Sequence, residues 1–387
     1  MAIDFANYIG REQAYVKHTF LDKYIPALVG RIGSIYDEFV YVDGFAGPWQ
    51  SVAGETFEDT SFGIALRHMS EQKEFWLRRG RKVRMRAFLV EKDNLAYKQL
   101  VQSVERFPLI EIKALHGRME DHVDQIVSLI PTNSFSFSLI DPKGFPEINL
   151  LRNLISRKNS ETLVNFMFDF ANRFAGTDLI AALTNWLSTT TGDTRWQSEI
   201  ATLTGIAREE KIEWLAAESL RLSGNYKYAP VISVDKVDQD RVLYKLIFLS
   251  RHVRGLEVFR DSQYRTLEAQ AAARSVVKAR KRSETTYTHD LFSSGEDAVP
   301  NDRSSMMISK GSTYAKKELI EALKSAGQSG LCWQDVWPRV LNSCVITRSK
   351  LGRIANELRK DGRILAPDWP SERHQIPSDS QTLIWVE

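Results

Sequence analysis

Runs of β-branched and aromatic residues recur along the first half of this chain at intervals that fit a strand–helix–strand rhythm. Residues 39–42, 86–90, 110–115, 135–140 and 162–168 read as strands. Helical patterns fill the gaps, at 61–78, 94–106, 119–129 and 150–158. Strands separated by a helix do not close as hairpins; they lie parallel, and each crossover helix covers a face of the sheet. The expected fold class is therefore α/β, with helices on both sides of a parallel sheet. A further helix precedes the first strand over 12–32, where Val16, Phe20, Tyr24, Ala27 and Leu28 recur at helical spacing and Pro26 marks a kink.

From 177 to 222 the rhythm breaks. Leu179, Leu183, Trp186, Leu187, Trp196, Ile200 and Trp214 describe an inserted helical subdomain. Strands resume at 231–234 and 242–250; the polar turn over 235–240 makes them an antiparallel hairpin. A helix over 255–282 ends in the basic cluster Lys278, Arg280, Lys281 and Arg282. Residues 283–311 are polar and read as a linker. Beyond them come helices at 314–326 and 333–341. A third is opened by Thr347, runs to Lys360 and is stopped by Gly362. Strands at 363–366 and 382–386 complete the order of a winged helix-turn-helix. The expected domains are 1–282, a linker 283–311, and 312–387.

Composition removes several classes of function. The chain has 387 residues and a net charge of +3, so any nucleic-acid surface is a local patch. Cys332 and Cys344 lack metal-ligand spacing and read as reduced thiols, and no metal site is expected. The amino terminus has neither the basic nor the apolar region of a signal peptide, and no apolar run is long enough to span a membrane. A cytoplasmic protein is expected.

The strand ends carry the chemistry. The first strand runs into Asp43, Gly44, Phe45, Ala46 and Gly47. Small residues there let backbone N–H groups approach a ligand, and Asp43 adds an acceptor. A plain Asp-Gly turn fits the same residues. The second strand ends in Glu91, whose carboxylate suits two vicinal hydroxyls of a ribose, or a helix cap shared with Asp93. The length between Asp43 and Glu91 calls for an inserted loop over 49–60. The third strand ends at His116, Gly117, Arg118 and Met119, where a glycine and a soft thioether suit a flat ring; His116 itself reads as structural. The fourth delivers Asp141, Pro142, Lys143, Gly144 and Phe145 to the same rim. An amine or ring nitrogen donating to Asp141 would keep its lone pair available for attack on an electrophilic methyl. The fifth carries Asn165, which needs a polar partner inside an apolar strand, and leads to Asp169 and Arg173, four apart and able to pair if that piece is helical.

In this order the segments Phe-Val-Tyr-Val-Asp-Gly-Phe-Ala-Gly-Pro, Phe-Leu-Val-Glu-Lys, Ser-Leu-Ile-Asp-Pro-Lys-Gly-Phe and Val-Asn-Phe-Met-Phe-Asp-Phe-Ala-Asn-Arg resemble the three-Cys-motif partner proteins (TcmP). Those in turn look like class I S-adenosylmethionine-dependent methyltransferases. The resemblance spans residues 10–275 and implies a Rossmann-like methyltransferase sheet. It implies that Asp43, Gly44, Phe45, Ala46 and Gly47 hold the methionine part of S-adenosylmethionine. Glu91 would bind the ribose; Gly117, Arg118 and Met119 would line the adenine; Lys17 and His18 would close over the cofactor. Asp141, Pro142 and Lys143 fall where amino-methyltransferases carry Asp-Pro-Pro-Tyr, with lysine in place of the second proline and the aromatic displaced to Phe145. A radical-SAM-like three-Cys-motif protein is the partner that the resemblance implies.

In the carboxyl-terminal unit, Arg348, Lys350 and Arg353 project from the third helix among apolar Leu351, Ile354, Ala355 and Leu358, a pattern suited to nucleic acid or to a solvated basic face. The expected activity is methyl transfer from S-adenosylmethionine to nucleic acid. The alternatives are a non-enzymatic binding protein of the same fold and a small-molecule methyltransferase.

Overall fold

A computed structural model describes residues 3–47, 57, 59–175, 181–192, 195–236, 239, 241–286, 303–369 and 375–386. Pro48, most of the expected loop over 49–60, Gly176, part of the expected insertion (177–180, 193–194) and the middle of the expected linker (287–302) lie outside the described residues. Among the described residues, no helix is long and apolar enough to cross a membrane. The chain divides into two compact units, Met1–His252 and Val253–Glu387.

The first unit begins with a short 3-10 turn, Phe5–Tyr8, capped by the Asp4 carboxylate, and helix α1, Glu12–Ile32. Strand β1, Glu38–Asp43, precedes α2, Ser61–Arg78, whose cap is the Thr60 hydroxyl accepting from Gly63 N–H at 3.1 Å. Then come β2, Arg84–Glu91; α3, Asn94–Val104; β3, Glu111–His116; α4, Met119–Leu129; β4, Phe135–Ile140; α5, Ile148–Ile155; and β5, Ser160–Phe166. Three helices over the expected insertion follow α6, Phe168–Phe174. They are α7, Ala181–Thr191; α8, Arg195–Thr202; and α9, Gly205–Ser223. The hairpin strands β6, Val231–Asp235, and β7, Val242–Leu249, close the unit.

These strands form one sheet of order β3-β2-β1-β4-β5-β7-β6. β1 to β5 are parallel, and β7 is antiparallel to both of its neighbours. Alternation splits the central strands between two buried faces, whereas edge strand β3 buries only Leu115. Val40, Val42, Phe88, Val90, Ile140, Val164 and Phe166 share a core with α4, α5 and α9. Phe137 faces Tyr24 of α1, at 5.4 Å between ring centroids, and Tyr24 meets Phe248 at 5.2 Å. Trp186 and Trp196 are each 1% exposed in the first of these cores, whereas Trp214 is 50% exposed beneath the Lys211 ammonium.

The fifth strand ends two residues before its expected limit. Phe168, expected in the strand, opens α6 instead. Arg208 of α9 explains why so short a helix forms: its guanidinium donates to the carbonyls of Asn172 (2.8 Å) and Ala175 (3.0 Å), closing the carboxyl end of α6.

The second unit contains α10, Val253–Thr286; α11, Arg303–Ala326; β8, Leu331–Cys332; α12, Trp333–Ser343; α13, Arg348–Lys360; β9, Ile364–Leu365; and β10, Thr382–Trp385. The three strands form an antiparallel sheet of order β8-β10-β9. Thr347 caps α13 as expected, accepting from Lys350 N–H at 3.2 Å. The domain limits differ from the expected ones. α10, expected within 1–282, is tied into the second unit: buried Arg260 donates to the Leu341 and Asn342 carbonyls that end α12, and Gln270 donates to Ser304 of α11. α11 begins at Arg303, inside the expected linker 283–311.

Candidate active site

A cavity of about 670 Å³ opens at the carboxyl ends of the parallel strands, the edge where open α/β sheets bind ligands. It is lined by Gly44 and Phe45 after β1, Glu91 of β2, Gly117, Arg118 and Met119 after β3, and Asp141, Pro142 and Lys143 after β4. Lys17 of α1 also lines it. Ten of the expected catalytic and cofactor residues thus converge on one space. Asp43, Ala46 and Gly47 do not line it, and the reason is local.

The loop after β1 spends its polar groups internally. Gly44 N–H donates to Leu139 C=O (3.1 Å), Phe45 N–H to Asp43 Oδ1 (3.0 Å) and Ala46 N–H to Val90 C=O (2.9 Å). These amides shape the loop, and the ligand cradle expected of them is not formed. Gly44 is required for a different reason: a Cβ there would stand 2.9 Å from Met119 Cγ, so glycine lets the thioether pack against the loop. Asp43, 1% exposed, also accepts from the Tyr41 hydroxyl at 2.9 Å. Burial pushes its carboxyl up to about 6, against the Phe45 and Tyr41 hydrogen bonds that favour the anion; nearby Asp141 raises it further.

Glu91 is 4% exposed, and its Oε1 accepts from Asp93 N–H at 2.7 Å. Asp93 is the cap of α3. Gly117 has φ +141, and a Cβ there would meet His122 Nε2 at 2.8 Å, so only glycine fits between β3 and α4. His116 is exposed and stacks on Tyr97 at 4.9 Å.

Asp141 has both of its oxygens engaged. One oxygen is paired with the Lys17 ammonium, and the other accepts from Asn165 Nδ2 at 2.5 Å. Asn165 thereby finds the partner its place in an apolar strand demands; its own Oδ1 is buried without one. Lys17 and Asp141 are 14% and 19% exposed. His18, expected to close over the cofactor with Lys17, turns away: its Nδ1 meets the Tyr8 hydroxyl at 2.9 Å and its Nε2 the Ser61 hydroxyl at 3.4 Å. Burial, with Lys17 adding to it, holds its pKa well below the ordinary histidine value.

Tyr244 lines the cavity without a motif to announce it. Tyr244 of β7 donates to Gln13 C=O at 2.5 Å, and both line the cavity. Burial and Asp141 hold the Tyr244 phenol well above its usual pKa. Phe145, the displaced aromatic, lies against Phe166 (5.7 Å), Phe170 (5.9 Å) and Trp186 (6.1 Å) and forms an apolar wall. Among the described residues, no cluster could hold a metal ion.

The basic residues expected to meet nucleic acid divide. In the second unit, Arg348 pairs with Asp379 at 2.5 Å and Glu257 at 3.5 Å and lies over Trp337. Lys350 sits over the Tyr264 ring at 3.8 Å and bonds its hydroxyl. Arg353 is exposed. Two of the three residues thus serve the packing of α13 against α10.

No protein-family model matches the chain, and no curated protein matches it. Among solved structures, it is similar to M. jannaschii TYW2 in complex with AdoMet, at 11% identity over 58% of this chain and 73% of that one, with a TM-score of 0.27. It is also similar to the O-methyltransferase from Bacillus cereus in complex with SAH, at 13% identity over 59% and 80%, with a TM-score of 0.29. Likeness this loose carries no inference about chemistry.

Proposed function

We propose that this protein is an S-adenosylmethionine-dependent methyltransferase of the three-Cys-motif partner type that acts on nucleic acid, its second unit being a winged helix that adds nucleic-acid affinity. The observation that carries the reading is the convergence of Gly44, Glu91, Gly117 and Asp141 from successive strand ends on one cavity. The sheet beneath them has the order β3-β2-β1-β4-β5-β7-β6 with β7 reversed. Class I methyltransferases are built on such a sheet.

The residues present fit the cofactor. Glu91 has one oxygen committed to Asp93, which fixes its direction and leaves the other for ribose hydroxyls. Gly117, Arg118 and Met119 offer a surface for adenine. Gln13, Lys17, Gly44 and Phe45 surround the place for the methionine part, and Asp43, Ala46 and Gly47 act by shaping the loop. Bound there, S-adenosylmethionine supplies an electrophilic methyl on a sulfonium. Asp141, followed by Pro142 and Lys143, would orient the acceptor nitrogen by accepting a hydrogen bond from its N–H, and Lys17 must release the carboxylate when the acceptor arrives. Proximity and orientation are the main catalytic terms. A radical-SAM-like partner belongs to the same reading.

The Lys17 ammonium on Asp141, and lysine rather than proline at 143, favour a second reading: a nucleic-acid-binding protein that keeps the fold without the reaction. Two measurements separate them. Isothermal titration with S-adenosylmethionine should give a saturable isotherm. Labelled methyl should then pass from the cofactor to total RNA or DNA and be released by nuclease. A flat titration sinks the methyltransferase reading; binding without transfer to RNA or DNA sinks the nucleic-acid acceptor and leaves the second reading or a small-molecule acceptor.

A further inference from the structure

Asp169, at the start of α6, lines the cavity and is 8% exposed. Its Oδ2 is met by three cationic groups at once: Arg173 Nη2 at 3.2 Å, Lys236 Nζ at 3.1 Å and Arg241 Nη2 at 3.1 Å. Three cations on one carboxylate oxygen leave an excess of two positive charges. A purely structural ion pair does not need this. One cation balances the charge, and each further one adds repulsion between like charges a few ångströms apart. Exposed pairs of this kind contribute only ~0–1 kcal/mol to stability. The other carboxylates that line the cavity are engaged elsewhere: Asp141 by Lys17 and Asn165, Glu91 by Asp93 N–H, and Glu120 by Arg118 at 3.3 Å.

The geometry points to an oxyanion subsite: Arg173, Lys236 and Arg241, gathered on Asp169 at the edge of the cavity, take a phosphate group of the acceptor. Arg173 also lines the cavity. Arg173 and Arg241 are 60% and 52% exposed, so both guanidiniums reach solvent while one end of each is fixed by Asp169. A guanidinium has five donors in a rigid fork suited to phosphate oxygens. Arg241 uses one of them on Asp169, and Arg173 spends Nη2 on the carboxylate and Nε on the Asp169 carbonyl. Asp169 therefore acts as a positioning residue. It holds three flexible cations together before the anion arrives, which reduces the ordering cost of binding. Lys236 and Arg241 flank the β6–β7 connection, so this hairpin contributes to substrate recognition as well as to the sheet edge. Calling the phosphate part of the acceptor rests on the methyltransferase reading; the subsite itself does not.

The test uses the full chain and the double variant Arg173→Gln/Arg241→Gln, with Lys236→Gln as an independent second variant. Sodium pyrophosphate at constant ionic strength should raise the thermal midpoint of the wild type and not that of the double variant. The double variant should bind a fluorescein-labelled short single-stranded RNA about tenfold more weakly, with a shallower salt dependence. S-adenosylmethionine affinity should change less than about twofold in either variant, because neither substitution touches Glu91 or Gly117. A pyrophosphate response that is absent in the wild type, or equal in wild type and variants, overturns the subsite. Loss of the pyrophosphate response in variants of a protein that never binds S-adenosylmethionine supports the subsite while the methyltransferase reading falls. Loss of the pyrophosphate response with unchanged RNA affinity also supports it, and assigns the phosphate to a small molecule rather than a polynucleotide.

Discussion

Replacing Asp43 by Asn should remove a pH dependence that the wild type carries. Asp43 is 1% exposed, and its carboxyl is raised from 3.8 to about 6, chiefly by burial. The shift of roughly two units corresponds to about 3 kcal/mol at ~1.4 kcal/mol per unit. Its sign follows from proton counting. Between about pH 4 and 6 the unfolded chain has ionised this carboxyl while the native protein keeps it protonated, so the native state binds more protons. The stabilisation is fully present below the unfolded value and is lost as pH rises through the folded one. Asparagine never ionises, yet it can accept from Phe45 N–H and meet the Tyr41 hydroxyl as aspartic acid does. Urea unfolding followed by tryptophan fluorescence, from pH 4 to pH 7.5, should show the variant gaining on the wild type by up to ~3 kcal/mol across that window. Glu161, raised to about 7 by burial between Tyr24 and Ser250, shifts stability in the same direction, but it is present in both proteins and cancels in the difference. A difference that stays flat with pH to within ~1 kcal/mol would refute the assignment of a buried, protonated Asp43. Asp43→Ala supplies the contrast. It strands the Tyr41 hydroxyl and Phe45 N–H and should cost ~2–4 kcal/mol at pH 4, a cost that shrinks by up to the same ~3 kcal/mol as pH rises through the Asp43 titration.

Lys245→Ala should destabilise the first unit by ~3–5 kcal/mol, because it removes the ammonium between Glu209 and Glu213 and empties the space of a side chain only 1% exposed; Lys245→Met refills that space and should cost clearly less, as measured by urea midpoints. Glu91→Ala should weaken S-adenosylmethionine binding at least about tenfold, or ~1.4 kcal/mol, by isothermal titration, and equal affinity would place the ribose elsewhere. Gly117→Ala should lower stability by ~1–3 kcal/mol, since alanine disfavours φ +141 and its Cβ would press on His122. Removing that ring as well, with His122→Ala, should recover only the steric part.

What the sequence disclosed was local. A β run followed by an acid or a glycine declares a strand end, and in a parallel sheet all such ends share one rim. Gly44, Glu91, Gly117 and Asp141 could therefore be gathered on one rim from the sequence, whereas Lys17, on α1, entered only through the resemblance to the three-Cys-motif partner proteins. The boundaries that failed had ambiguous local patterns. The aromatic run around Phe166 and Phe168 serves strand and helix equally, and the choice at Phe168 is tied to Arg208, far along the chain, capping α6. α10 reads as a continuous helix whichever unit it joins; buried Arg260 and Gln270, reaching α12 and α11, decide the matter.

The roles of the rim acids lay beyond the sequence for the same reason. Asp43 and Asp141 both follow a β run, and both precede a turn rich in glycine or proline. Motif reading gives them equal standing as acceptors. The fold separates them. Asp43 turns inward to Tyr41 and its own loop, where burial raises its carboxyl pKa, and it shapes the cavity without entering it. Asp141 remains at the wall because Lys17, 124 residues earlier, and Asn165, 24 residues later, supply a cation and an amide. Neither partner is near in sequence. An acid that shapes a cavity from behind and an acid that stays on its wall can thus share a motif, and only the long-range contacts tell them apart.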